Sequence, residues 1–251
     1  MRRYWINPSQ ISGNEVRFDG DVFHHIFDVC RQEKGSKFEV LAGDQKAHFV
    51  EVLQVSKKNA TAQILDTREI PKLKKPYLRL AMSVPRYQTM DAVVEKAVEL
   101  GVHSIHPFYS EFSFIKSFLP AGKMERWQKI IVSATQQSGR GELMKIHEPI
   151  SVEKLVAQIN QKSSCLGLFA YEGESKADIQ TYLRAKKSEK TEKPEEIWLF
   201  VGSEGGFSPT EVQAFQKAGL DSVTLGEQVL RVETACITLL AVLKYEFDLM
   251  R

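Results

Sequence analysis

Gly202-Ser203-Glu204-Gly205-Gly206-Phe207-Ser208-Pro209-Thr210-Glu211 follows the apolar run Ile197-Trp198-Leu199-Phe200-Val201. An unbroken apolar run of this length suits a strand buried on both faces of a parallel sheet. Ser208 is a good helix N-cap, Pro209 suits the first helical position, and Glu211 completes a capping box. The stretch therefore reads as strand, glycine loop, helix, the unit of an open α/β sheet. In such sheets ligands bind at the carboxyl ends of the strands, where backbone groups converge without side chains in the way. The spacing is neither G-x-G-x-x-G nor G-x-x-x-x-G-K-[ST], and Glu204 sets a negative charge where a nucleotide phosphate would sit. A ligand with adenine edges, hydroxyls and a positive centre suits this loop better. The glycines would also serve a tight turn, and Glu204 could instead cap a neighbouring helix.

A second loop, Leu225-Gly226-Glu227-Gln228-Val229-Leu230-Arg231-Val232-Glu233-Thr234-Ala235, again follows a short strand (222–225) and precedes a helix (233–249). Glu233 at the helix start complements the positive end of the dipole. Arg231 gains nothing there, so it either pairs with Glu233 or Glu204 or faces an anion. Outward from these loops the alternation continues: strands at 77–83, 104–108 and 165–171, and helices at 89–100, 123–138, 151–161, 177–187 and 209–218. Met90, Val93, Val94, Ala97 and Val98 make one helical stripe closed by Gly101, and Trp127, Ile130, Ile131 and Ala134 another closed by Gly139; both are core faces. The charged stretch 188–196 reads as a solvated loop.

The first seventy residues read differently, as short strands at 15–18, 37–41, 47–55 and 60–65 with one helix at 21–31, a small barrel-like module. Pro71-Lys72-Leu73-Lys74-Lys75-Pro76 cannot join either pattern and is placed as a linker, which gives domains at 1–70 and 77–251. Tyr4, Trp5, Phe18 and Phe23 could stack on bases, but a small barrel needs them for its core.

A chain of 251 residues with 43% hydrophobic and 26% charged residues is an ordinary globular composition, which excludes collagenous, mucin-like and mainly disordered classes. No apolar run approaches the roughly 18 residues of a membrane helix. Met1 to Pro8 reaches proline before an apolar region of about 7 to 15 residues can form, so no secretory signal is expected. Cys30, Cys165 and Cys236 are too far apart for a disulfide framework or a zinc knuckle and read as buried thiols in a reducing cytoplasm. The six histidines show no metal-ligand spacing on one helix, and no metal is expected. The net charge of +2 hides an uneven distribution: residues 71–140 carry 11 Lys and Arg against 5 Asp and Glu, which suits either a phosphate-facing surface or a solvated basic linker.

Four motifs in order resemble the RsmE family: Lys96 with Glu99-Leu100-Gly101-Val102, Gln137-Ser138-Gly139-Arg140, Gly202 to Ser208, and Leu225-Gly226 with Leu230 to Ala235. Members of that family are SPOUT-class methyltransferases acting on uracil N3 in 16S rRNA. The resemblance spans essentially the whole chain. It implies an α/β SPOUT-type domain with a C-terminal trefoil knot threaded after about residue 195, a PUA-like N-terminal β-barrel, and a cytoplasmic homodimer acting on 16S rRNA or the small ribosomal subunit. It also implies S-adenosylmethionine as cofactor, bent against Leu168, Phe169, Ala170, Gly202, Glu204, Gly205, Gly206, Leu225, Gly226, Val229 and Leu230, with Thr234 and Ala235 closing the pocket. Uracil N3–H lies between two carbonyls, so the reactive species is an anion that needs a proton acceptor and a stabilising charge. Arg231 is the candidate for charge stabilisation, Glu204 and Glu233 for proton acceptance, and Arg86, Lys96 and Arg140 for RNA-phosphate or structural contacts. The chain departs from the family pattern at Ser203, where proline is usual, and at Gln228 and Phe112, where arginine is common. Those departures bear on RNA contact more than on cofactor binding, and they are the support for the alternative of a non-catalytic RNA-binding or ribosome-assembly protein.

Overall fold

The computed structural model describes residues 1–159, 164–173, 177–189 and 193–250. Its chain groups into two units, 1–72 with 132–143, and 73–131 with 144–251.

In the first unit β1 (Arg3–Trp5), β2 (Ile11–Ser12), β3 (Glu15–Asp19), β4 (Lys37–Leu41), β5 (Lys46–Val55) and β6 (Asn59–Glu69) form one sheet in the order β1-β4-β5-β6-β3-β2. β1 runs parallel to β4, and every other pair is antiparallel. The expected single helix is instead a turn of α-helix, α1 (Gly20–Phe23), continued as a π-helix over His24–Val29. Tyr4, Phe18, Phe23 and Phe38 are buried in this core, so the small module spends most of its early aromatics on packing. Glu39 is buried and accepts hydrogen bonds from Arg3 (3.0 Å) and from Arg68 at Nε (2.7 Å) and Nη2 (2.9 Å).

Residues 132–143 belong to this unit, which the linker-based boundary did not anticipate. The Trp5 amide donates to Gln136 Oε1 (2.8 Å), Arg3 Nη1 donates to the Gln137 carbonyl (3.1 Å), and Gln45 Nε2 donates to Glu142 (3.3 Å). Gly139 turns with φ of +75°, and a Cβ there would meet the Arg3 guanidinium at 3.0 Å. The Gln137–Arg140 motif is thus a structural clasp.

The second unit holds an all-parallel sheet. Its strands are β7 (Tyr77–Ser83), β8 (Ser104–Tyr109), β9 (Lys145–Ile146), β10 (Ile150–Ser151), β11 (Cys165–Ala170), β12 (Ala177–Asp178), β13 (Glu196–Val201) and β14 (Asp221–Thr224). The order is β10-β8-β7-β13-β11-β14-β12, with β9 also on β8. The helices are α2 (Tyr87–Glu99), α3 (Lys123–Ser138), whose second half lies in the first unit, α4 (Val152–Ile159), α5 (Ile179–Glu189), α6 (Pro209–Lys217) and α7 (Val232–Glu246). The end of the expected 151–161 helix and residues 190–192 of the charged stretch lie outside the described residues; Glu196 at its far end opens β13 rather than a loop. Ile197 to Val201 are all buried, as their unbroken apolar run requires. Cys236 is buried, whereas Cys30 and Cys165 are only half-buried, a correction to the expectation of three buried thiols set by their places at an edge and a strand start.

The arginine hydrogen bonds, Arg68 foremost, hold the Glu39 carboxyl below the usual carboxylate range. A depressed folded-state pKa contributes stability above the ordinary range, and that contribution is lost as pH falls through the folded value. Glu39→Gln is therefore expected to cost about 1–3 kcal/mol at neutral pH and progressively less in acid, a convergence that urea titrations across the acid range check.

Candidate active site

The two loops meet at the carboxyl edge of β13, β11 and β14. The first leaves β13 at Gly202, closes as a turn in which the Gly206 amide donates to the Ser203 carbonyl (2.9 Å), and enters α6 through Ser208. Ser208 and Glu211 form the reciprocal capping box, with the Ser208 amide donating to Glu211 Oε2 (2.9 Å) and the Glu211 amide to Ser208 Oγ (3.3 Å). A Cβ on Gly202 would stand 2.9 Å from the Gly206 backbone, and one on Gly205 would stand 2.8 Å from Phe112 Cβ. The glycines at these places are required by close approach. The second loop turns at Gly226, where φ is +123° and the Thr224 hydroxyl donates to the Gly226 carbonyl (3.0 Å).

Between the loops lies a cavity of about 290 Å³ lined by Ala170, Tyr171, Glu172, Val201, Gly202, Ser203, Gly205, Gly206, Phe207, Val223 to Leu230, Val232 and Ala235. A wider one of about 730 Å³ shares its Glu172, Ser203, Gly205, Gly206, Val229, Leu230 and Val232 wall and adds Arg86, Gln88, Thr89, Ala92, Glu204, Arg231 and Glu233. The first is a concave, largely backbone-walled slot, and the second is an open basin edged by two arginines, Arg86 and Arg231, and three carboxylates, Glu172, Glu204 and Glu233. A slot walled by glycine backbone, with a Cβ at Gly206 meeting no atom within 4 Å, fits the flat edge of a nucleoside and has no basic side chain to hold a phosphate.

Most residues singled out in the sequence line one of these spaces. Ala170, Gly202, Gly205, Gly206, Leu225, Gly226, Val229, Leu230 and Ala235 border the slot. Arg231, Glu204, Glu233 and Arg86 border the basin. Leu168 and Phe169 do not: both are fully buried in β11, and Phe169 belongs to the apolar core with Trp198, Phe200 and Phe215. Thr234 is exposed and borders neither space, because its place in the first turn of α7 turns it outward while Ala235 turns in. Tyr171 and Glu172 went unmarked as site residues in the sequence; they continue past the end of β11, where the carboxyl-edge rule could have found them, and Gln228, noted there only as a departure from the family pattern, also lines the slot.

Glu204 does cap a neighbouring helix: its Oε1 accepts the amide of Arg86, the N-cap of α2, at 3.2 Å. Arg231 is the N-cap residue of α7, its exposed side chain makes no cap hydrogen bond, and among the described residues it forms no salt bridge. The pairing with Glu204 or Glu233 weighed in the sequence is therefore not formed. Lys96 is engaged by Glu95 (2.8 Å) and Glu99 (2.9 Å) on its own helix, and those hydrogen bonds raise its pKa. Arg140 takes the structural alternative of the two weighed in the sequence: its side chain is 7% exposed and lies 3.6 Å from Glu142 within the first unit. Ser203 and Phe112, two of the departures from the family pattern, are partners, with Ser203 Oγ donating to the Phe112 carbonyl at 2.6 Å. Among the described residues no group of three or more His, Cys, Asp and Glu side chains could hold a metal ion.

Burial pushes the Cys236 thiol, one turn into α7, far up. It is expected to resist a thiol reagent in the folded protein while Cys30 and Cys165 react; labelling followed by peptide mass spectrometry reads the difference. Gly202→Ala is expected to weaken ligand binding in the slot at least about tenfold, since the loop must open to admit the methyl, and calorimetric titration of S-adenosylmethionine measures it.

The model of an RNA methyltransferase domain matches residues 72–244, and that of an RNA methyltransferase PUA domain matches residues 18–65. Ribosomal RNA small subunit methyltransferase E of Aquifex aeolicus is 33% identical over 90% of this chain and 91% of its own, and that of Bacillus subtilis is 28% identical over 100% and 99%. Among solved structures, a ribosomal RNA small subunit methyltransferase E from Neisseria gonorrhoeae bound to S-adenosylmethionine superposes with a TM-score of 0.82 at 26% identity, covering 98% of this chain and 97% of that one. A methyltransferase-like chain from Legionella pneumophila, also with bound S-adenosylmethionine, gives 0.83 at 27% identity over 97% and 96%. With both domain models matched in order and relatives aligned from end to end, the chain belongs to the ribosomal RNA small subunit methyltransferase E family, the RsmE family of RNA methyltransferases.

Proposed function

We propose that this chain transfers a methyl group from S-adenosylmethionine to N3 of a uridine in 16S rRNA of the small ribosomal subunit. The observation that carries the reading is the slot between the two glycine loops opening along a shared wall into a basin edged by Arg231, Glu204, Glu233 and Arg86. The relatives' names and the cofactor in two similar structures support it.

When bound, the cofactor supplies a methyl group on a positively charged sulfur. The backbone of Gly202 to Gly206 and of Leu225 to Leu230 would hold its adenosine, with Ala170 and Ala235 as walls. Leu168 and Phe169 act from behind by fixing the end of β11. In the basin Arg231 keeps its charge at any physiological pH and presents a planar fork, which suits a uracil carbonyl that becomes anionic as N3 loses its proton. Of the carboxylates that line the same basin, Glu204 and Glu233 are the candidates for taking that proton. Glu204 already spends one oxygen on the Arg86 amide, and Glu233 sits in the first turn of α7 beside Arg231 in the chain. Arg86 is exposed at the rim and suits a phosphate.

We further read the chain as a cytoplasmic homodimer whose first seventy residues help to hold RNA, joined through the 71–76 linker to the methyltransferase domain. Ile237 and Tyr245 on one stripe of α7 are exposed apolar residues that a second copy would cover. No helix among the described residues is long and apolar enough to cross a membrane. The trefoil knot would involve the segment from β13 onward.

Arg231→Ala is expected to cut methyl transfer about 100- to 1000-fold while leaving S-adenosylmethionine affinity nearly unchanged, the signature of a group acting on the transition state. Single-turnover transfer to unmodified small subunits, set beside calorimetric binding, separates the two, and equal losses would remove Arg231 from this role.

A further inference from the structure

The loop of residues 110–122 leaves the carboxyl end of β8 and carries three exposed rings. Phe112 is 43% exposed, Phe114 57% and Phe118 77%. Apolar side chains on a loose loop usually fold back onto the protein, because exposing them costs hydrophobic free energy. Here the backbone beneath Phe112 and Phe114 is held from several sides. Ser83, Ser110 and Ser113 form a buried hydroxyl triangle with edges of 2.5, 2.8 and 3.0 Å, and the Ser110 amide donates to Ser113 Oγ at 2.7 Å. The Phe114 amide donates to the Val84 carbonyl (3.1 Å), and the Glu111 amide donates to Glu211 Oε1 (2.9 Å). Ser203 Oγ holds the Phe112 carbonyl from the glycine loop itself (2.6 Å).

The anchoring runs into the site on one side and into an aromatic and cationic edge on the other. Phe112 packs over Gly205, which borders both slot and basin. Phe114 meets the Tyr87 ring edge-on, with centroids 6.2 Å apart, and Lys123 Nζ lies 3.7 Å over the centre of that same ring. Tyr87 opens α2 immediately after Arg86, a basin residue. The shelf thus lies within the segment richest in positive charge, residues 71–140.

We propose that Phe112, Phe114 and Phe118, with Tyr87, form a pre-organised stacking shelf for unpaired RNA bases that flank the nucleotide entering the basin. The assignment rests on the RNA-methyltransferase reading and adds to it a site and a mode of recognition. Stacking is tolerant of sequence and largely independent of salt, whereas arginine contacts to phosphate weaken as counterions compete. The ordering cost of the shelf is met in the free protein by the serine triangle and the Ser203 bond, so binding does not have to supply it. A second copy of the chain would also cover exposed rings, but it would not account for their continuity with the basin or for the lysine held over Tyr87.

The test is the affinity of unmodified small ribosomal subunits for the intact chain and for Phe114→Leu, Phe114→Tyr and the double variant Phe114→Ala/Phe118→Ala, over a range of salt. S-adenosylmethionine affinity and sedimentation are measured on the same samples. The double variant is expected to lose at least about fivefold in RNA affinity, with an unchanged salt slope, cofactor affinity and oligomeric state. Phe114→Tyr is expected to retain binding and Phe114→Leu to lose it, since both fill space but only one offers a π face. Equal binding by the leucine and tyrosine variants, or a changed oligomeric state in the double variant, would overturn the shelf while leaving the function standing. An intact chain that binds cofactor but neither binds nor methylates subunits would overturn the functional reading itself.

Discussion

Strand β13 is the constraint from which the site follows. It is inserted in parallel between β7 and β11, with Phe200 opposite Ala81 on one side and Phe169 on the other. A strand buried on both faces and paired at both edges has no freedom to slip, since a shift of one residue would reverse the face of every side chain. That rigidity delivers Gly202 to a fixed point beside the ends of β11 and β14. The capping box at Ser208 and Glu211 then sends the chain away from the sheet at once, leaving the glycine backbone as a wall rather than a core. Glu211 also accepts the Glu111 amide, so one carboxylate ties the departing helix to the aromatic loop.

The chemistry of the site follows from what surrounds each charge. Glu204 at the start of α2 and Glu233 at the start of α7 stand where helix dipoles favour anions, and Arg231 stands where they do not. Arg231 is thus a cation at the end of a helix that does not favour it, exposed at the basin and forming no salt bridge among the described residues. Arg140 is the counterexample: similar in sequence promise, it is enclosed in the first unit beside Glu142, and burial lowers its pKa from the ordinary guanidinium value. The difference between them is packing context, which no local pattern expresses.

The parts of the fold legible in the sequence were those with local physical signals. The α2 and α3 stripes, the capping box of α6, the apolar run of β13 and the positive-φ glycines at 101 and 139 each depend on neighbours within a few residues. The parts missed depend on distant partners. β1 and β2 are too short to show a period; β1 exists because β4 accepts it in parallel, and residues 132–143 join the first unit through single hydrogen bonds to Trp5 and Arg3. The same division runs through the site. Both loops, with Arg231, Glu204 and Glu233, were legible because glycine spacing and helix starts mark the carboxyl edge. Leu168, Phe169 and Thr234 lie outside the lining of both spaces, because periodicity along one strand or helix does not say which face meets the slot, and the link between Ser203 and Phe112 was invisible because it joins separate strands' ends.

The central claim is the transfer of a methyl group to a uracil nitrogen, and the most direct measurement is incubation of the purified chain with S-adenosylmethionine and unmodified small ribosomal subunits, followed by nucleoside mass spectrometry of the 16S rRNA. The account predicts the appearance of N3-methyluridine, dependent on Arg231. Its absence under conditions where the cofactor binds and an active RsmE relative modifies the same subunits would contradict it.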